Sequence, residues 1–294
     1  MVAAGVLLVD KPGGMTSHDV VSRARRALGT RKIGHAGTLD PIATGLLVLG
    51  VEGATRLLTF VVGLDKTYEA TIRFGVSTDS DDADGAVTAE ADAAAVPSDA
   101  ILVGVASLTG RISQVPSRVS AIKVAGRRAY DLARAGEEVD LPARGVTVSR
   151  FDVLAERRSG AVVDLDVVVD CSSGTYIRAL ARDLGAALGV GGHLTRLRRT
   201  HVGPFAVADA ADVDALAAAA LLDPADAAVR VLGRFDASAD EARDLRHGKR
   251  LADAATRLPA PVAAAVGPDG VLIGVVEKRG ADVKSAMNMP AASP

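Results

Sequence analysis

The chain has a single cysteine, Cys171, and no tryptophan among its 294 residues. One cysteine excludes an internal disulfide framework and any metal site built from several thiolates. No apolar run reaches membrane-spanning length, and the first residues lack the basic, apolar and small-residue order of a signal peptide. We therefore expect a cytoplasmic protein in a reducing compartment.

Motifs for metals and cofactors are also missing. The five histidines have no paired metal-binding spacing, and the sequence contains neither a dinucleotide fingerprint nor a phosphate loop. Residues 80–85 resemble part of a calcium loop, but Ala91 stands where that loop needs a bidentate glutamate. The sequence therefore predicts no metal and no cofactor.

One carboxylate stands out against this background. Residues 34–41 read GHAGTLDP, which places Asp40 among glycines and small residues and directly before a proline. Gly34 and Gly37 permit backbone angles closed to other residues, and Pro41 disfavours a helical conformation at Asp40. This segment is predicted to be an irregular loop whose acid can face a ligand, and Asp40 is our candidate for the centre of the chemistry.

The formal net charge of −2 conceals an uneven distribution of charge. Basic residues outnumber acidic ones in segments 1–60, 111–150 and 173–205, whereas the charged residues of segment 79–99 are all acidic. If the three basic segments converge in the fold, they would form a positive face that can bind the phosphates along a nucleic-acid backbone. Ordinary solvated charge is the alternative explanation for any one of them.

Periodicity predicts an α+β fold with a mixed, largely antiparallel sheet. A helix is expected after Gly14, capped by Thr16 or Ser17 and ended by Gly29. Further helices are predicted at 55–62, 98–107, 127–135 and 176–188. Strands are predicted at 5–10, 46–51, 67–74, 119–124, 145–155 and 161–169.

The C-terminal part has a different character. The alanine-rich segment 206–228 is expected to form helices that close the main domain. Two apolar runs at 262–266 and 271–276 flank GPDG, which is a hairpin signal. We therefore predict a catalytic domain over 1–230, a small β-rich domain over 235–286, and a disordered tail over 287–294.

Two further residues are candidates for the chemistry. Tyr68 begins a strand in a chain poor in aromatics, and its ring could stack on a base for roughly 1 to 3 kcal/mol. Arg178 falls in the first turn of a helix, where the helix dipole disfavours a cation, so we expect a carboxylate partner and propose Asp40. Such a pair typically lowers a carboxylate pKa by about 1 to 3 units. The alternatives are a half-buried strand tyrosine and an ordinary structural ion pair.

These segments together resemble the bacterial tRNA pseudouridine-55 synthases of the TruB type. The resemblance covers residues 5 to about 205, and the sequence departs from the usual pattern at Ser117 and Val119. The matching motifs are GVLLVDKPGG (5–14), GTLDP (37–41), KTY (66–68), TDSDDADG (78–85), QVP (114–116), SAIK (120–123) and SGTYIR (173–178).

The resemblance implies a pseudouridine synthase fold, a C-terminal PUA-like domain, and an enzyme that isomerises uridine at position 55 in the tRNA T loop. It implies that Asp40 is the nucleophile, that Tyr68 packs on the flipped base, and that Arg178 pairs with Asp40. It also places four residues in or beside the RNA site: Lys11, His35, Asp82 and Tyr176.

The same resemblance implies tRNA as the partner, without a cofactor, a membrane or a protein partner, and we expect a monomer. The sequence does not decide whether Asp40 attacks C1′ or C6 or acts through elimination. Two other functions stay open at this point: an RNA-binding or tRNA-folding factor of the same fold, and a small-molecule hydrolase with an aspartate nucleophile.

Overall fold

A computed structural model describes residues 2–117 and 141–290, together with the backbone of 123–124 and 127–128. The strands in this part of the chain are β1 Gly5–Lys11, β2 Ile33–His35, β3 Thr44–Val51, β4 Lys66–Phe74, β5 Val76–Thr78, β6 Val87–Glu90, β7 Gly110–Gln114, β8 Lys123–Val124, β9 Arg127–Arg128, β10 Arg144–Ser159, β11 Val162–Cys171, β12 Gly192–Val202, β13 Phe205–Ala206, β14 Ala211–Asp212, β15 Arg234–Asp236, β16 Val262–Val266, β17 Leu272–Arg279 and β18 Asp282–Asn288. The α-helices there are α1 Ser17–Leu28, α2 Leu58–Val62, α3 Ser98–Ser107, α4 Ile177–Ala187, α5 Pro224–Leu232 and α6 Ala239–Arg246.

A large mixed sheet forms the main body of the protein. Its strand order is β14-β1-β3-β12-β4-β11-β10-β7, with β2 pairing on β3 and β13 on β12. The β1–β14 and β3–β12 pairs are parallel, and the other pairs in this sheet are antiparallel. The predicted α+β architecture with a largely antiparallel sheet is confirmed.

Local sequence signals define α1 as predicted. Thr16 caps the helix and forms a reciprocal capping box with Asp19, and Gly29 ends it in the left-handed conformation at φ 64°. Val20, Val21 and Ala24 are buried along one face. The helix therefore begins and ends where its caps require and packs on the sheet through its apolar side.

Strand β11 lies inside the sheet, between β4 and β10, and one of its faces packs against the main apolar core. Val163, Leu165, Val167 and Val169 are all buried, and the residues between them are partly exposed, as the alternation predicts. The buried side chains form one apolar cluster with residues of α3 and α4. This packing fixes α4, which begins immediately beside the candidate site.

The prediction of helices over 206–228 is largely wrong. This segment contains β13, β14 and two short 3₁₀ turns, and only its last residues enter α5. Val6 and Leu222 exchange backbone hydrogen bonds of 2.9 and 2.8 Å, and β14 pairs with β1. Because β1 supplies these backbone partners on the side away from β3, tertiary pairing overrides the helix propensity of alanine.

The C-terminal residues form a second sheet in the order β15-β16-β17-β18. The predicted hairpin is confirmed, with the Gly267 N–H donating to the Val271 carbonyl at 3.0 Å. Strand β18 continues to Asn288 and the Met289 N–H donates to Ile273, so the tail prediction is wrong for residues 287–289. Residues 291–294 lie outside the described part.

The second sheet packs directly on the main body. Ala264, Val266 and Val275 share one buried cluster with Val6 and Val48 of the large sheet. We propose the division of the chain at 230–235 as a domain boundary because the second sheet begins at Arg234. The apolar contact shows that the two units are joined by a common core rather than by a linker alone.

Two predicted elements fall mainly outside the described residues. Of the strand predicted at 119–124, Lys123–Val124 is a strand, and 118–122 lie outside. Of the helix predicted at 127–135, Arg127–Arg128 form a strand instead, and 129–135 lie outside. Among the helices that the structure describes, none combines the length and apolarity needed to cross a membrane.

Candidate active site

A cavity of about 320 Å³ opens where three chain segments and β12 meet. The loop 37–40 forms one wall, residues 172–178 form another, and Lys66 and Tyr68 of β4 lie between them with Leu197 and Arg199 of β12. Four of the predicted site residues line this cavity: Asp40, Tyr68, Tyr176 and Arg178. The fold therefore brings together three motifs that are far apart in the sequence.

The loop that carries Asp40 is irregular, as predicted, but it is held firmly. The Ser17 hydroxyl accepts from the Leu39 N–H at 2.8 Å and donates to the Leu39 carbonyl at 3.1 Å. The Lys11 ammonium donates to the carbonyls of Met15 at 2.6 Å and Pro41 at 3.3 Å. Bonds on both sides of Asp40 thus fix its backbone before any substrate arrives.

Lys11 has a different place from the one the resemblance implies. Its side chain is fully buried beneath the loop and does not line the cavity. Burial lowers the pKa of its ammonium to about 8, and the nearby Asp40 carboxylate opposes that shift. The geometry shows a lysine that holds the Asp40 loop through backbone carbonyls.

Arg178 lies between two carboxylates. Its Nε is 3.0 Å from Asp40 Oδ2 and its Nη1 is 3.3 Å from Asp82 Oδ2, while Nη1 also donates to the Ser80 carbonyl at 2.7 Å. The Arg178 side chain is 3% exposed, whereas that of Asp40 is 36% exposed. The predicted ion pair is present, and the carboxylate is the member that faces the cavity.

Arg178 lowers the pKa of the Asp40 carboxyl, as predicted, but the net shift of that pKa is upward. Burial raises the pKa of the Asp40 carboxyl above its ordinary value, and the Asp82 charge adds to that rise. Arg178 opposes both effects without cancelling them. A carboxylate whose desolvation is only partly compensated is a better nucleophile than one neutralised by its partner.

Asp82 supports Arg178 and does not line the cavity. Its carboxylate accepts from the Ser80 hydroxyl and from the Asp84 N–H at 3.1 Å, and the Thr78 hydroxyl donates to its carbonyl at 2.7 Å. These contacts fill the loop that first resembled a calcium site. The acid motif thus holds the arginine that pairs with Asp40.

The two tyrosines take separate walls of the cavity. Tyr68 is 8% exposed, and burial raises the pKa of its phenol while the nearby Arg199 charge opposes that rise. Tyr176 precedes α4, where Gln114 bonds to its backbone N–H at 2.8 Å and its carbonyl at 3.1 Å. His35 lies in β2, does not line the cavity, and has its pKa lowered by burial.

Two cations of the cavity wall were not predicted from the sequence. Lys66 donates to the carbonyls of Val62 and Leu64, and burial lowers its pKa to about 8. Arg199 is 1% exposed. The KTY motif could have indicated Lys66 as a site residue. The sequence of β12 gives no such signal for Arg199, because its arginine neighbours in the strand look the same.

The positive charge of the site is therefore largely inside the wall. Lys11, Lys66, Arg178 and Arg199 are all buried, so they raise the local potential without themselves adding to an exposed positive face. Of the residues described, no group of three or more histidine, cysteine, aspartate or glutamate side chains is placed to hold a metal ion. The described site offers a carboxylate, an arginine and two phenols for chemistry.

The fold is shared with known pseudouridine synthase assemblies. A chain of a Cbf5–Nop10–Gar1 complex superposes with a TM-score of 0.70 at 25% identity, covering 97% of this chain and 84% of that one. A chain of an H/ACA RNP bound to a substrate RNA containing 2′-deoxyuridine gives 0.71 at 25% identity, covering 98% and 86%. The architecture is therefore the pseudouridine synthase fold.

Sequence comparison narrows this class to one family. Residues 25–177 match the N-terminal domain of TruB family pseudouridylate synthases, 178–235 match the tRNA pseudouridylate synthase B C-terminal domain, and 232–290 match the C terminus of tRNA pseudouridine synthase II. The tRNA pseudouridine synthase B of Leifsonia xyli is 56% identical over 99% of this chain and 98% of its own. That of Nocardia farcinica is 58% identical over 94% and 90%. The chain belongs to the TruB family of pseudouridylate synthases and is an isomerase.

Proposed function

We propose that this enzyme converts uridine 55 in the T loop of tRNA to pseudouridine, with Asp40 as the nucleophile. The observation that carries the proposal is the Asp40–Arg178 ion pair at the wall of a cavity that also contains Tyr68. The relatives named above are tRNA pseudouridine synthases B, which supports tRNA as the substrate. The proposal also places the enzyme with its tRNA in the cytoplasm.

The size of the cavity suits one extruded nucleoside. Ligand sites typically span roughly 300 to 1,000 Å³, and this cavity lies at the lower end of that range. A base stacked in a folded RNA loop cannot enter it, so the target must be flipped at a cost of a few kcal/mol. Stacking on Tyr68 and the positive wall would recover part of that cost.

The reaction is an isomerisation and needs no external electrons. The C1′–N1 bond breaks, the base turns, and a C1′–C5 bond forms; C5 then loses its proton while N1 gains one. Asp40 either attacks C1′ or C6 or removes a proton in an elimination path. In each case Arg178 holds the carboxylate in place, and its planar fork can engage Asp40 and Asp82 together.

Tyr68 is suited to contact the base in its neutral form. Because burial raises the pKa of its phenol, the hydroxyl stays protonated at neutral pH. The ring can then pack on the uracil while the hydroxyl stays near Arg199. We propose that it also takes part in removing the C5 proton, by passing on its own hydroxyl proton as it accepts the one from C5, since it lines the same cavity as Asp40.

The test uses Asp40→Asn with a T-loop substrate or tRNA. Asparagine preserves the shape of the side chain and removes its charge and nucleophilicity, so tRNA affinity should stay within a few fold while product formation is abolished. Pseudouridine is mapped at single-nucleotide resolution, which also tests position 55. Asp99→Asn, in the exposed first turn of α3, is the control and should turn over normally. Wild-type turnover by Asp40→Asn would refute the assignment.

A further inference from the structure

Arg199 occupies the junction of three strands at the back of the active site. In β12 it pairs in register with Tyr68 of β4 on one side and with Gly45 of β3 on the other. A Cβ atom added to Gly45, whose φ is +100°, would lie 2.2 Å from the Arg199 carbonyl, so the two strands meet as closely as backbones can. Strand β3 begins at Thr44, shortly after the loop that carries Asp40.

The guanidinium of Arg199 bonds to backbone on both sides of Asp40. Its Nη2 donates to the Gly37 carbonyl at 3.0 Å, its Nη1 approaches the Thr38 carbonyl at 3.4 Å, and its Nε donates to the Leu46 carbonyl at 2.8 Å. It also lies close enough to the phenol of Tyr68 to lower the pKa of that group. One rigid fork therefore contacts both the nucleophile loop and the tyrosine of the base-binding wall.

The charge on Arg199 is costly at this position. The side chain is 1% exposed, and none of the ion pairs between described residues includes it. A leucine or methionine would fill the same strand position without the cost of desolvating a cation. The charged fork adds three directed hydrogen bonds that an apolar residue does not provide, and two of them end on the loop that carries Asp40.

We propose that Arg199 is a positioning residue that sets the separation between the Asp40 loop and Tyr68. This inference rests on the proposed function. Because Asp40 acts on the sugar or base while Tyr68 packs on the base, their separation must suit a base that turns between two bonding positions. A planar fork with fixed donor directions maintains that separation, and a lysine ammonium, which is a single point charge, does not.

The test compares Arg199→Lys with Arg198→Lys in single-turnover reactions. Arg198 is the adjacent residue on the opposite face of β12, where it pairs with Asp10 at 2.7 Å and lines no part of the cavity. We expect Arg199→Lys to lower the rate constant by about 10- to 100-fold, since a misplacement of about 1 Å has effects of that size. The tRNA dissociation constant should change by less than about threefold, and Arg198→Lys should leave both values unchanged.

A role in global stability alone would give a different result. Rates are therefore normalised to the fraction of folded, tRNA-binding enzyme, and Arg199→Lys is combined with Tyr68→Phe. If Arg199 acts through the Tyr68 hydroxyl, the double variant should lose less than the product of the two single losses. Citrulline at position 199 keeps the shape of the side chain but lacks the charge and one of the two terminal amino groups. It serves as the folded variant if Arg199→Lys does not fold.

A normalised rate constant within threefold of the wild-type value, for Arg199→Lys or for citrulline at position 199, would overturn the proposal. Fully multiplicative losses in the double variant would also overturn it. The proposed function is tested separately, because wild-type product at position 55 and inactivity of Asp40→Asn do not depend on the outcome at Arg199.

Discussion

The Asp40–Arg178–Asp82 arrangement predicts an unusual pH response for Asp82→Asn. Asp82 lies 3.3 Å from Arg178, its side chain is 6% exposed, and its charge is one of the influences that raise the pKa of Asp40. Asparagine keeps the volume and removes the charge. Two consequences follow with different signs, and they can be measured in the same experiment.

The first consequence is a slower reaction. A hydrogen bond to a charged group contributes about 1.5 to 3 kcal/mol, and the neutral amide retains little of the interaction with Arg178. If that loss is fully expressed in the transition state, the rate constant falls roughly 10- to 150-fold, since about 1.4 kcal/mol corresponds to tenfold. Arg178 would stay in place through Asp40 and the Ser80 carbonyl but with less restricted orientation.

The second consequence is a shift of the acid limb of the pH–rate profile. Asp40 must be ionised to act, so activity rises as pH increases through its pKa. Since the Asp82 charge raises that pKa, its removal lowers the pKa, and the limb should move to lower pH. The variant is therefore slower at its plateau but retains a larger fraction of its own maximum in acid.

The assay is single-turnover pseudouridine formation across pH at constant ionic strength. Asp81→Asn is the matched control: it changes the neighbouring residue, which pairs with Arg182 at 3.2 Å, and asparagine tolerates its φ of 61°. Its acid limb should coincide with that of the wild type. An Asp82→Asn limb that stays in place or moves to higher pH would refute the electrostatic reasoning, whatever the loss of rate.

Two other predictions concern the frame of the site. Lys11→Met should lower stability by roughly 2 to 4 kcal/mol, because it leaves the Pro41 carbonyl and its neighbours without their donor, and tRNA affinity should not change; a selective loss of affinity would contradict the buried position. Gly45→Ala should destabilise by about 2 to 5 kcal/mol because its Cβ would lie 2.2 Å from the Arg199 carbonyl at a φ of +100°. Gly63→Ala, whose Cβ meets nothing within 4 Å, should be nearly neutral in the same thermal denaturation series.

Local signals were sufficient for the elements whose caps and periodicity agree with their packing. Thr16 and Gly29 bound α1, and the alternating valines of β11 bury the predicted face. The helix prediction for the alanine-rich segment before α5 failed because helix propensity there competes with pairing to β1, whose outer side needs backbone partners. A sequence cannot reveal that competition, since β1 and residues 211–222 are about 200 positions apart.

The predictions for the site were likewise successful where they depended on local sequence and incomplete where they depended on tertiary packing. The sequence alone indicated Asp40 as a carboxylate in a rigid irregular loop, and the dipole argument correctly paired it with Arg178, because both conclusions depend on local backbone chemistry. The resemblance placed Lys11 and Asp82 in or beside the RNA site, and the structure adds that Lys11 lies beneath the Asp40 loop and Asp82 behind the arginine. Residue type and spacing do not specify which side of a loop a charged group occupies.

The sequence by itself thus determined the helix caps, the strand alternation, the irregular conformation of the Asp40 loop and the family resemblance, all of which depend on short, contiguous patterns. Only the tertiary structure decided the direction of the Asp40 pKa shift and the presence of Lys66 and Arg199 in the cavity wall. The physical reason is that desolvation and charge coupling depend on every group within a few ångströms, and strand pairing brings those groups from four separate segments of the chain.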